Sequence, residues 1–165
     1  MESINVAFLD FDGVVNTPMW YDNNGKLRIR YNFPKHGKVN NWQACQWLSK
    51  FRKERGYSIV VSSTWRKEGL TTCRTCLYGG GIWDSVPIIG ATPVLGDNID
   101  RGFEIQKWLD NHAESGARVK RWVIIDDYDG TISVEQGNRL VLCRSDAGFL
   151  QDEYNEAVRI HLVNK

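Results

Sequence analysis

Asp10 and Asp12 stand two residues apart at the end of the apolar run Ile4-Asn5-Val6-Ala7-Phe8-Leu9, and Gly13 follows them. In an extended chain, side chains two apart share a side, so both carboxylates can aim at one point. A glycine next to them lets the backbone turn sharply away. Carboxylates that close repel unless a cation compensates, and Mg²⁺ takes one or two carboxylates together with water and substrate phosphate oxygens. Asp126-Asp127 ends another apolar run and can supply the remaining oxygen ligands. One such pair is often only a turn cap; two pairs at two strand ends favour a metal site.

Phosphoryl transfer asks for charge neutralisation and positioning more than for unusual groups. A hydroxyl donor and a cation would complete the apparatus. Ser62 follows the strand-like run Tyr57-Ser58-Ile59-Val60-Val61 and can donate to a phosphoryl oxygen, with Ser63 the next choice. Arg101 stands where a helical pattern begins, near an anion-favouring N-terminus, and can hold the same phosphoryl group or orient Asp10. Each has a plainer reading: a serine before a helix is often its N-cap, and an arginine is often surface.

The elements that must position these residues alternate. Besides the runs ending at Asp10, Val61 and Asp126, strands are expected over Arg139-Leu140-Val141-Leu142-Cys143 and Pro87-Ile88-Ile89-Gly90. A helix is expected from Trp42 to Arg55, with Trp42, Cys45, Leu48 and Phe51 on its apolar face and Gly56 as its stop, and another from about Gly102 to His112 with Phe103, Ile105, Trp108 and Leu109 apolar. Strands alternating with helices predict an α/β fold with a mainly parallel sheet covered by helices on both faces. In such sheets the ligand crevice lies beyond the carboxyl ends of the strands, where every polar cluster just named falls. Between residues 16 and 41 the pattern changes: Trp20-Tyr21 and Leu27-Arg28-Ile29-Arg30-Tyr31 flank the turn-forming Asp22-Asn23-Asn24-Gly25, which predicts a β-hairpin flap inserted in one domain spanning 1–165.

The bulk numbers agree with one core. At 165 residues, 42% hydrophobic and 25% charged, the chain has the size of a single compact domain. A net charge of +1 argues against a long nucleic-acid footprint, though not against a grip on one phosphorylated end. Met1-Glu2-Ser3-Ile4-Asn5 lacks the basic and apolar regions of a signal peptide, and no run approaches a membrane span, so a cytoplasmic location is expected. The four cysteines are then reduced thiols; Cys73 and Cys76 form a CxxC inside a helical stretch, without a second pair at zinc-site spacing, and read as packing. His36, His112 and His161 have no spacing partner that would make them metal ligands. Arg118, Lys120 and Arg121 read as solvated loop ahead of a strand.

Taken in order, Asp10-Phe11-Asp12-Gly13-Val14-Val15, Ser62, Arg101 and Asp126-Asp127-Tyr128-Asp129 resemble the haloacid dehalogenase-like (HAD) superfamily across almost the whole chain. More narrowly, Ser62-Ser63-Thr64-Trp65-Arg66, the run Arg101 to Leu109 and Trp122-Val123-Ile124-Ile125-Asp126-Asp127 look like the HAD domains of RNA-repair polyproteins. The resemblance implies a Rossmann-like three-layer α/β/α sandwich and an aspartyl-phosphate intermediate on Asp10. It makes Asp12 the group that protonates the leaving oxygen and later activates water, Ser62 the phosphoryl binder and Arg101 the basic residue, where lysine is commoner. It implies Mg²⁺ held by Asp10, the backbone carbonyl of Asp12 and Asp127, with Asp126 a direct or water-mediated ligand.

The spacing between motifs has room for a hairpin but not for a large cap domain, so an open site is expected. Lys26, Arg28 and Arg30 on the flap, with Trp20, Tyr21, Trp65 and Arg66, are candidates to contact a nucleotide, the aromatics by stacking; they read equally well as the packed base and wet face of the flap. The expected function is a phosphomonoesterase acting on a nucleic-acid end, such as a 3′-phosphate, or on a nucleotide. A phosphatase of small metabolites is the rival, and a catalytically idle binding module the alternative of another class.

Overall fold

A computed structural model of the chain describes residues 3–21, 24, 26–29, 41–82 and 88–164. Five parallel strands form the central sheet: β1 (Ser3–Leu9), β4 (Tyr57–Val61), β5 (Ile88–Ala91), β6 (Arg118–Asp126) and β7 (Leu140–Leu142), in the order β5-β4-β1-β6-β7. The chain builds outward from β1 to one edge, then returns to β1's other side for β6 and β7. Strand order thus reverses at β1, and an α/β sheet opens its ligand crevice at such a reversal. Two short strands, β2 (Met19–Tyr21) and β3 (Leu27–Ile29), pair antiparallel with Trp20 opposite Arg28. Asp22, Asn23, Gly25, Arg30 and Tyr31, which carried much of the flap reading, lie outside the described residues, as does Pro87.

Alternation along the strands sorts the core into two faces. Ala7, Leu9, Ile59, Val61, Val123 and Ile125 point to one face, covered by α1 (Trp42–Arg55), α2 (Leu70–Gly79) and α5 (Gln151–Val163). Val6, Phe8, Val60 and Ile124 point to the other, where α3 (Arg101–Glu114) lays Ile105 against them, flanked by Trp108 and Leu109. A one-turn helix, α4 (Val134–Gly137), precedes β7. Each fully buried Phe, Leu or Ile of this core contributes roughly 1.5–3 kcal/mol, and sheet strands buried on both sides read as the near-continuous apolar runs seen here.

Several expectations need correction. Trp42 opens α1 but is 44% exposed, and Phe103 of α3 is 66% exposed, so the buried stripes run through Cys45, Leu48 and Phe51, and through Ile105. Strand β6 begins at Arg118, so Arg118, Lys120 and Arg121 are strand residues rather than loop: Arg118, Val119 and Arg121 pair with Ser3, Ile4 and Asn5, and an irregularity at Ile4/Asn5 leaves Lys120 without an opposite residue. Arg101 is the first residue of α3 itself. All four cysteines are buried free thiols. No helix among the described residues is long and apolar enough to cross a membrane.

Candidate active site

The ladder hydrogen bonds continue one residue past each strand, and this fixes the residues that follow. Asp10 N–H donates to Ile125 O (3.0 Å), Ser62 N–H to Leu9 O (3.0 Å) and Thr92 N–H to Val61 O (3.0 Å). Alternation then decides direction: Asp10, Ser62 and Asp126 each stand two residues beyond Phe8, Val60 and Ile124, so they continue onto the face that α3 covers. Arg101, at the start of α3, meets them there. Its guanidinium pairs with Asp126 Oδ2 and lies 3.4 Å from Asp10 Oδ1. Asp126 Oδ1 also accepts from Tyr128 N–H at 3.1 Å.

Asp127 completes the group: carboxylate oxygens of Asp10, Asp126 and Asp127 all lie within 4.8 Å of one another. The loop that makes this possible is tight. Phe11 O accepts from the N–H groups of Val14, Val15 and Asn16 (2.9–3.1 Å), and Gly13, at φ +76°, passes so close that a Cβ there would sit 2.1 Å from Asp127 Oδ2. Only glycine suits both that backbone angle and that approach.

Asp10 is buried, and burial pushes its carboxyl up to about 7; Asp126 adds to the rise, while Arg101 and hydrogen bonds from Ser63 and the Phe11 N–H hold it down. Burial likewise raises Asp126, against Arg101. For Arg101 burial acts downward, but Asp10 and Asp126 outweigh it and its charge is strengthened. Fully ionised, the three carboxylates and one guanidinium carry two net negative charges. The donor set and this imbalance fit a hard divalent cation.

The two serines differ. The Ser63 hydroxyl lies near enough to Asp10 to help hold its carboxyl down, and its Oγ accepts from Trp65 N–H at 3.3 Å, capping the 3-10 turn Thr64–Glu68. Ser62 Oγ is wholly buried without a hydrogen-bond partner. A buried hydroxyl left unmatched is costly unless something arrives to accept from it.

Asp12 points elsewhere. Its exposed carboxylate is outside the three-carboxylate group and takes Trp65 Nε1–H on Oδ2 (2.9 Å) and Asn16 Nδ2–H on Oδ1 (3.3 Å). Trp65 and Arg66, read from sequence as possible substrate contacts, therefore have other engagements. Trp65 spends its side chain's only polar hydrogen on Asp12. Arg66 donates to the carbonyls of Ser62, Ser63, Thr92 and Pro93 and pairs with Glu104 at 2.5 Å, both side chains being under a tenth exposed. Glu104 in turn accepts from Leu95 N–H (3.2 Å), so this pair ties the loops after β4 and β5 to α3. Sequence reasoning missed Glu104; its spacing of three from Arg101 put it one turn along the same helix, the single available hint. Arg30 lies outside the described residues, and of Arg28 only the backbone register is described.

A cavity of about 230 Å³ opens over Asp10, Arg101, Asp126 and Asp127, walled by Thr64, Lys67, Val94, Ile99 and Tyr128. Residues 6–154 match the family model of the HAD domain in Swiss Army Knife RNA repair proteins. The chain belongs to this family. A search of curated proteins found no match. Membership in this HAD family agrees with the parallel sheet lacking a large cap among the described residues, and supports a HAD phosphatase-like activity. HAD domains generally use a divalent metal, commonly Mg²⁺, and the acidic group described here has the composition such an ion requires.

Proposed function

We propose that the chain is a Mg²⁺-dependent phosphomonoesterase that works through a phosphoryl group carried transiently on Asp10. One observation carries the reading: carboxylates two residues apart occupy opposite environments, Asp10 buried under Arg101 and Asp12 exposed between two neutral donors. Environments that differ in this way can separate two roles: Arg101 and a bound cation favour the ionised Asp10 that a nucleophile must be, and leave Asp12, outside the acidic group, for proton transfer. An Asp10 oxygen attacks phosphorus and the ester P–O bond breaks, with Asp12 giving its proton to the leaving oxygen. Water then attacks phosphorus, Asp12 takes its proton, and the bond to Asp10 breaks to release inorganic phosphate.

Ser62 supplies the unmatched hydroxyl to a phosphoryl oxygen, and Arg101 neutralises Asp10 and Asp126. Asp10, Asp127 and the Asp12 backbone carbonyl hold the metal. Asp126, with both oxygens already engaged by Arg101 and the Tyr128 N–H, is held for the indirect position. The bound ion supplies charge neutralisation of the phosphoryl oxygens.

The family's RNA-repair setting and the open cavity edged by Lys67 and Tyr128 favour a phosphate on a nucleic-acid end or a nucleotide. Turnover of 3′-phosphorylated and 5′-phosphorylated oligonucleotides, mononucleotides and sugar phosphates is compared with Mg²⁺ present, in wild type and Asp10→Asn. Faster turnover of oligonucleotide ends, lost in the variant, is expected. Preference for sugar phosphates would transfer the chain to small-metabolite chemistry, and equal rates in both proteins would leave only a binding module.

A further inference from the structure

Asp12 is exposed, yet it has one defined orientation because both its oxygens are tethered. Asn16 holds Oδ1 through a 3.3 Å bond, and Trp65 holds Oδ2 through a 2.9 Å bond. The indole is itself immobilised. Its ring lies 5.8 Å from that of buried Phe11 and packs against the main core, its backbone N–H is capped by Ser63, and the next residue is the Arg66 anchor. Nothing in a phosphatase reading requires a tryptophan at this place.

We propose that Trp65 is the positioning residue for proton transfer by Asp12, a role that rests on the phosphatase reading above. An indole N–H donates and never accepts, so it anchors Oδ2 and leaves Oδ1, with its longer bond to Asn16, as the oxygen that gives and takes the proton. Asn16 is oriented as well, its Oδ1 accepting from the Cys76 thiol at 3.6 Å so that its Nδ2–H faces Asp12, but its bond to Oδ1 is the longer of the two. Proton transfer depends on placement within hydrogen-bond reach, and a small misplacement of the acid is felt in rate.

The test separates orientation from folding. Trp65→Phe keeps an aromatic ring beside Phe11, smaller than the indole, and removes the N–H, so the comparison between esters and the Asp12→Asn background separates lost orientation from lost packing. kcat/KM covers the steps through departure of the leaving group, and that departure needs an acid when the leaving group is an alkoxide but scarcely when it is an activated phenolate. The variant should therefore lose about tenfold or more on an alkyl phosphate ester and less than about threefold on an activated aryl phosphate. In an Asp12→Asn background the same change should cost nothing further on either ester. Equal losses on both esters, or no loss on either, would overturn the role.

An independent measurement uses no turnover. The indole ¹H–¹⁵N resonance assigned to Trp65 by its disappearance in Trp65→Phe should shift upfield and exchange faster with solvent in Asp12→Ala. An unmoved resonance would refute the tether. A resonance that moves in a wild-type protein inactive on every ester would retain the contact, refute the phosphatase reading and remove the role with it.

Discussion

The two sides of the crevice solve the problem of holding a carboxylate in opposite ways. On the α3 side, Asp10, Asp126 and Asp127 are crowded together, two of them buried, and their mutual repulsion is partly relieved by Arg101. On the other side Asp12 sits in water and is held by an indole and an amide, neither of them charged. Strand alternation produces the first arrangement and a glycine turn the second. Identical side chains acquire different chemistry because one continues a buried strand and the other has left it.

Breaking the buried side should cost most. Asp10→Asn is expected to lower Mg²⁺-dependent ester hydrolysis by about 10⁴-fold or more, on the scale of losing a nucleophile in other covalent hydrolases. Residual activity within tenfold of wild type would show that Asp10 is not attacked. Asp12→Asn should cost about 10²–10⁴-fold, and less with activated leaving groups, a dependence that Asp10→Asn should not share; steady-state rates across a series of aryl and alkyl esters make the distinction.

The contrast can also be broken at its common support. Glu104→Ala leaves the Arg66 guanidinium buried beside carbonyls alone, and removing one partner of such a pair typically costs about 3–5 kcal/mol. Denaturant unfolding should show that loss, whereas Trp65→Phe, which keeps an aromatic ring beside Phe11 and gives up one hydrogen bond to an exposed carboxylate, should cost clearly less. If Glu104→Ala unfolds like wild type, the tie between α3 and the loops after β4 and β5 is not what holds the crevice.

A gentler probe is pH. Asp10's carboxyl is raised from an ordinary 3.8 to about 7, so between those values the metal-free native protein keeps a proton that the unfolded chain gives up. Its contribution to stability is therefore fully present below about 4 and lost as pH rises through about 7. Asp126, raised by burial as well, acts in the same direction. Tm in EDTA should fall across that interval. Saturating Mg²⁺, which selects the ionised carboxylates, should flatten the slope; an identical slope with and without Mg²⁺ would separate the acidic group from metal binding.

Much of the framework was legible because period and punctuation agree. Tyr57–Val61 and Trp42–Arg55 have the bounds expected of them, set by Gly56, which takes the left-handed conformation at φ +66° as a helix stop must. Helix α5 was not read, although Gln151-Asp152-Glu153 is an acidic first turn and Ala157 and Ile160 follow at helical spacing; only those two residues of the helix are buried, too short a stripe to stand out. The convergence of Asp10, Arg101, Asp126 and Asp127 was readable because each sits at an element's end. The partners of Trp65 and Arg66 were not, since an indole N–H and a guanidinium look the same in sequence whether they face a nucleotide or their own backbone. Those assignments depend on where one 3-10 turn places two adjacent side chains.

Gly13 contributes no side-chain functional group, yet its missing carbon is the space in which an Asp127 oxygen rests. In a saturation screen for loss of activity, this position should therefore group with the carboxylates rather than with the turns. Even Gly13→Ala would act as a lesion in Asp127, delivered from across the loop without altering that residue.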